Sequence, residues 1–134
     1  MTISKQKERD LVLQTLFAKQ FCPLDKDFVL LLVTRHKITK KNAFAILERV
    51  ETIQKKQKEI EDLIKKNSKS YDFKRITKME LSLLFLLLYE VIEEKLEKGI
   101  ALSESSRLLK KYSTQPAIAF VSAMIDICLK KTST

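Results

Sequence analysis

The chain has 134 residues, 45% of them hydrophobic and 32% charged, a balance that suits one globular domain with a continuous core and excludes a disordered chain. One glycine, Gly99, and two prolines, Pro23 and Pro116, leave few of the turns that hairpins and phosphate-cradling loops require, so helix is favoured over sheet. The formal charge is +9, and residues 1–70 carry 16 Lys/Arg against 9 Asp/Glu while residues 71–134 carry 10 against 8, so the N-terminal half supplies a field suited to nucleic acid, an anionic membrane surface or an acidic protein.

The spacing of Val12, Leu13, Leu16, Phe17 and Phe21 behind a charged opening predicts a helix over about 4–21. Cys22-Pro23 closes it, because the residue before proline is pushed out of the α region, and Asp25 is placed to cap a second helix carrying Phe28, Leu31 and Leu32. From Thr39, the positions Ala43, Ile46, Leu47, Val50, Ile53, Ile60 and Ile64 recur at helical spacing between Lys, Glu and Gln. That predicts one amphipathic helix about 40 Å long at ~1.5 Å per residue, with Lys55, Lys56, Lys58, Lys65, Lys66 and Lys69 mostly on its solvent face. Asn67-Ser68-Lys69-Ser70 reads as an inter-helix loop.

Thr77-Lys78-Met79-Glu80 is a capping box that opens a further helix. Leu81 and the run from Leu83 to Tyr89 make it apolar on nearly every side, so it is expected at the centre of the bundle. A charged turn from Glu93 to Gly99 leads into a shorter helix with Leu102, Leu108 and Leu109. The last helix, about 115–130, places Ala117, Phe120, Val121, Met124, Ile125 and Cys128 on one face. The expected fold class is all-α, a compact bundle of about six to seven helices in a single domain over residues 1–134.

The residues that catalysis requires are scarce. His36, the only histidine, lies between Arg35 and Lys37, where positive charge disfavours a bound cation, and is read as a solvated loop residue. Cys22 and Cys128 form no metal-binding cluster with it and are read as buried thiols of a reducing compartment. Neither a catalytic residue, a metal nor a cofactor is expected. The opening lacks a secretory pattern, and the apolar run Leu83–Tyr89 falls far short of the ~18 residues that span a bilayer, so the expected location is the cytoplasm, away from membranes. Lys5, Lys7 and Arg9 sit in the opening turns of the first helix, where the macrodipole disfavours cations, which leaves a ligand as one reason for them.

Four stretches, in order, resemble the NusB family of all-helical transcription antitermination factors. Arg9-Asp10-Leu11-Val12-Leu13-Gln14-Thr15-Leu16-Phe17 is similar to the family's Arg-Glu opening with its apolar residues, Gln, Leu and aromatic. Arg75-Ile76-Thr77-Lys78-Met79-Glu80, running on to Tyr89-Glu90, resembles Arg-Leu-Ser-Lys-Val-Asp to Tyr-Glu. Ile100-Ala101-Leu102-Ser103-Glu104 with Leu109-Lys110-Lys111-Tyr112, and Phe120-Val121-Ser122-Ala123-Met124-Ile125-Asp126, resemble the family's two C-terminal patterns.

The resemblance implies a non-enzymatic RNA-binding protein that acts on boxA elements of ribosomal RNA transcripts. Its implied partners are the ribosomal small-subunit protein NusE and the RNA polymerase antitermination complex, and some relatives pair into homodimers that cover the RNA surface. Carried over by position, Lys5, Lys7, Arg9 and Phe120 are the implied RNA contacts, and Phe17 and Glu80 lie at the implied surface for the ribosomal protein. The family's Arg-rich opening is thinned here to two Lys and one Arg, and Lys offers a point charge where Arg offers a bidentate fork, which lowers the expected phosphate affinity. Two rival readings are an RNA-targeting module of the kind that precedes ribosomal RNA cytosine methyltransferases, against which a reading frame ending at Thr134 would argue, and a helical protein-protein adaptor whose charge serves solubility.

Overall fold

The computed structural model describes residues 3–21, 26–67, 75–112 and 115–130, and among them it holds seven α-helices and no strand. They are α1 (Lys5–Lys19), α2 (Lys26–His36), α3 (Lys40–Lys55), α4 (Gln57–Asn67), α5 (Lys78–Glu94), α6 (Lys98–Tyr112) and α7 (Gln115–Lys130). The fold class is the all-α one expected, and the chain divides into two compact units, Met1–Lys55 and Lys56–Thr134.

In the first unit α3 packs against both α1 and α2. α1 begins where the Ser4 hydroxyl, on extended backbone, accepts the Lys7 backbone N–H at 3.1 Å. That bond satisfies one orphan amide of the first turn, worth about 1 kcal/mol. Leu11, Val12, Leu13 and Leu16 are all buried, an arc wider than the apolar spacing predicts. Phe21, expected on that face, is 62% exposed. The chain tightens after α1, with the Gln20 and Phe21 amides bonding three residues back to Phe17 and Ala18, so Phe21 leaves the helical register.

Leu31 is half exposed, a correction with an angular cause: Val29 and Leu32 are the buried positions of α2, and Leu31 lies about 100° round from Leu32. The expected roles of Cys22, Pro23 and Asp25 fall outside the described residues, as does the expected loop at 68–70.

The single long helix expected after Thr39 is two helices. α3 ends at Lys55, and α4 starts after Lys56, whose carbonyl accepts the Ile60 amide at 3.1 Å as a first bond of the new helix. No glycine or proline marks the break, and Val50, Ile53, Ile60 and Ile64 are buried on both sides of it. The two halves of the pattern serve different partners: α3 packs on α1 and α2, and α4 packs on α5 and α7. Tertiary packing has overridden local continuity.

In the second unit α5 packs against α4, α6 and α7, which accounts for its apolar circumference. The capping box is formed as expected: the Glu80 amide donates to the Thr77 hydroxyl at 3.1 Å, and the Thr77 amide donates to the Glu80 carboxylate at 2.9 Å. Every residue from Ser82 to Glu90 is buried, and Leu83, Leu84, Leu86, Leu87 and Leu88 are fully so. Each such leucine contributes about 1.5–3 kcal/mol of burial. α5 ends on Lys95 in the left-handed region at φ 57°, with its amide bonded to the Glu90 carbonyl.

α6 and α7 pack together, with the hydroxyls of Ser105 and Ser122 3.5 Å apart. Ala101, Leu108, Leu109, Val121, Met124, Ile125 and Cys128 are buried along them. Leu102, Ala117 and Phe120 are only partly buried. The Arg107 guanidinium grips the buried Glu104 carboxylate with bonds of 2.8 and 2.9 Å, one turn away on α6.

Candidate nucleic-acid interface

In the first unit the start of α1 carries exposed cations. Lys5 and Lys7 are exposed on the opening turns of α1. The Lys7 ammonium donates to the His36 carbonyl at the end of α2, at 3.2 Å, a favourable place for a cation on a helix C-terminus. An ammonium has three donors, so this bond leaves others for a phosphate. Lys5 sits 3.5 Å from Glu8, an exposed pair of the kind worth less than about 1 kcal/mol, and Glu8 is also held by Arg49 at 3.2 Å. A polynucleotide phosphate therefore competes with a weak internal partner at Lys5.

Between the start of α1 and the α2–α3 turn lies an open groove of about 220 Å³, lined by Ile3, Ser4, Lys7, Lys37, Ile38, Thr39 and Asn42. Lys37 adopts the left-handed region at φ 53°, which turns the chain between the helices and sets a second cation on the groove. The Thr39 hydroxyl accepts the Asn42 amide at 3.1 Å and so caps α3. The groove thus combines two ammonium groups with hydroxyl and amide side chains, a set that suits the oxygens of a phosphodiester.

His36 is the last residue of α2, partly buried, where a solvated loop position was expected. Its pKa is held below the ordinary histidine value, first by desolvation and then by the charges of Arg35 and Lys7, with Asp10 opposing. Its ring is therefore neutral at pH 7, and the positive charge of this corner comes from the lysines and arginine.

The remaining residues singled out by resemblance occupy distinct settings. Arg9 is only 7% exposed, so it does not share the open surface of Lys5 and Lys7. Phe17, further along α1, meets Phe21 edge to face with ring centroids 5.0 Å apart, and the exposed Phe21 extends the aromatic surface there. In the second unit, Glu80 is 5% exposed and engaged in the capping box, and Phe120 is partly buried near the start of α7. Sequence reasoning missed Lys37, Thr39 and Asn42 as neighbours of Lys7, because a turn between helices far along the chain sets that juxtaposition. The available signal was the Thr39 cap, which fixes where α3 starts.

In the charged turn that begins at Glu93, Glu93, Glu94, Lys95 and Glu97 are exposed, and Lys98, at the start of α6, pairs with Asp126 on α7. Lys56 bridges Glu59 and Glu93 at 3.8 and 3.7 Å. Cys128 is buried, and burial pushes its thiol pKa up to about 11. Among the described residues no cluster of His, Cys, Asp or Glu could hold a metal ion, and no helix is long and apolar enough to cross a membrane.

A family profile described as the NusB family matches residues 6–130. The transcription antitermination protein NusB of Chlamydia pneumoniae is 29% identical over 124 residues, covering 91% of this chain and 78% of that protein. Its counterpart in Chlamydia trachomatis serovar A is 30% identical over 126 residues, covering 90% and 75%. A solved structure of T. maritima NusB superposes with a TM-score of 0.78 at 23% identity, covering 98% of this chain and 94% of that one, and at that identity it shows the shared fold. With a profile match spanning nearly the whole length, the chain belongs to the NusB family.

Proposed function

We propose that this protein is a non-enzymatic, RNA-binding transcription antitermination factor that engages boxA-type RNA of ribosomal RNA transcripts together with the ribosomal small-subunit protein NusE, within the RNA polymerase antitermination complex. Its family membership supports this reading, since the relatives it matches are named transcription antitermination proteins. The observation that carries it is the corner where Lys5 and Lys7 are exposed on the opening turns of α1 and where Lys7 and Lys37 line an open groove. Phosphate contacts supply most of the affinity of such a surface, and side chains that meet unpaired bases supply selectivity. Phe120 is the candidate for the second role, as an aromatic face for stacking. Phe17, whose ring meets Phe21 in the first unit, and Glu80, at the cap of α5 in the second, are the residues the family resemblance assigns to the ribosomal protein. Arg9, at 7% exposed, is the least accessible of the three basic residues proposed for RNA at the start of α1.

The test is a titration of boxA-like and scrambled single-stranded RNA at fixed salt, with and without the ribosomal protein. Preference for the boxA-like sequence, increased by the ribosomal protein, is the expected result. Equal binding of both RNAs in both conditions refutes specific recognition, and retention of the ribosomal protein with no RNA binding at all leaves an adaptor as the function.

A further inference from the structure

We infer that Arg49 on α3 is a further phosphate-binding residue and that Glu8 is a built-in competitor for it, which the RNA backbone must displace; the inference rests on the RNA-binding reading above. The Glu8 carboxylate oxygen Oε1 faces two cations, the Arg49 Nε at 3.2 Å and the Lys5 Nζ at 3.5 Å. The side chains of Lys5, Glu8 and Arg49 are 56%, 27% and 17% exposed, so the acid shields the less accessible of the two cations.

A groove of about 110 Å³ runs beside this triad, lined by Ile3, Glu8, Asn42, Ala45, Ile46 and Arg49. Asn42, Ala45, Ile46 and Arg49 follow the i, i+3, i+4, i+7 spacing, one stripe along α3. Ile3 and Asn42 also line the groove of Lys7 and Lys37, so the two grooves adjoin at these residues. A strand with one phosphate held by Lys7 and Lys37 is led along the stripe toward Arg49, roughly 10 Å beyond Asn42 at ~1.5 Å per residue.

The exchange of partners is chemically even. A guanidinium takes a phosphodiester with the same planar fork it offers a carboxylate, so one charge-assisted contact replaces another. The displaced carboxylate is not stranded, because Glu8 lies in the first turn of α1, where the helix macrodipole favours an acid. Glu8 nevertheless lowers affinity, since a phosphate arriving at Arg49 must break an existing ion pair and meets a like charge beside it. Contacts to phosphate carry no base information, so that cost is the same for every sequence. Glu8 thus sets the strength and salt dependence of binding and leaves sequence preference untouched.

The test is a set of anisotropy titrations of boxA-like RNA and of oligouridylate of equal length, from about 50 to 200 mM salt, on the parent, Glu8→Gln, Arg49→Gln and the double variant. Glu8→Gln keeps the side-chain shape and an oxygen acceptor for Arg49 while removing the charge. It should bind both RNAs about fivefold more tightly at 50 mM with a slope steeper by about 0.7, one more phosphate neutralised, so that the gain shrinks to about twofold at 200 mM. In the Arg49→Gln background the same exchange should gain less than about twofold, because the cation it releases is gone. Helix content and melting are followed for each variant, and the slope of Glu8→Gln decides the matter by itself if Arg49→Gln does not fold. Unchanged or weaker binding by Glu8→Gln, a gain with the parent slope, a gain confined to the boxA-like RNA, or an undiminished gain without Arg49 each overturns the inference. Parent binding of both RNAs without preference refutes boxA recognition and leaves this test intact, whereas a chain that binds neither RNA at any salt overturns both.

Discussion

Replacing Lys5 and Lys7 together by alanine removes the two exposed cations of the α1 start while leaving the helix frame in place. The structural cost is small: Lys5 loses an exposed contact with Glu8, and Lys7 loses one bond to the His36 carbonyl, together about 1–2 kcal/mol at most. The effect on RNA is larger and has a definite form. Each phosphate neutralised on a single strand contributes about 0.7 to the slope of log affinity against log salt, so losing two such contacts flattens the slope by about 1.4. Between about 50 and 200 mM salt that difference amounts to roughly a sevenfold change in relative affinity. Fluorescence anisotropy of a labelled boxA-like RNA across a salt series measures it, with thermal melting as the control for the fold. Arg9→Ala, by contrast, should act mainly on melting, because Arg9 is 7% exposed. If the double lysine variant keeps both its melting temperature and the parent slope, the corner at the start of α1 is not where phosphates dock.

His36 is the chain's only histidine, so its ring proton is an unambiguous NMR signal. Desolvation, Arg35 and Lys7 hold its pKa below the ordinary value, so as pH falls the unfolded chain takes up the proton first. The stability associated with the neutral ring is present above about pH 6.5 and is lost as pH drops through the lowered folded value. Lys7→Ala should move that titration upward, and phosphate docking beside Lys7 should do the same; a titration that ignores both removes Lys7 from the neighbourhood that matters. Thr77→Ala should destabilise the protein by about 1 kcal/mol through loss of the α5 cap, lowering Tm by roughly 2–5 °C, while Thr77→Ser retains most of the stability. Equal melting of all three proteins would show that the capping box contributes nothing.

What could be read in the residues was local in origin. The Thr77–Glu80 box satisfies its own amides, so its sequence announces the helix start, and the all-round apolar run after it can only be a helix with neighbours on every side. The last helix was legible in its bounds for the same reason, since Val121, Met124, Ile125 and Cys128 repeat with the helical period and are buried. Family membership was also legible, because short patterns in order survive where identity is low.

Tertiary structure alone decided the rest. The break at Lys56 leaves no mark on a periodicity that is correct on both sides of it, because the pattern records burial and not which helices do the burying. Arg9 and Lys7 are near neighbours in sequence and both basic, yet one is buried and the other lines an open groove, since a cation's exposure depends on the elements packed around it. Lys7 meets Lys37 and Thr39 only because the α2–α3 turn returns the chain to the start of α1. Contacts between residues some thirty positions apart are set by packing geometry, and no local propensity encodes them.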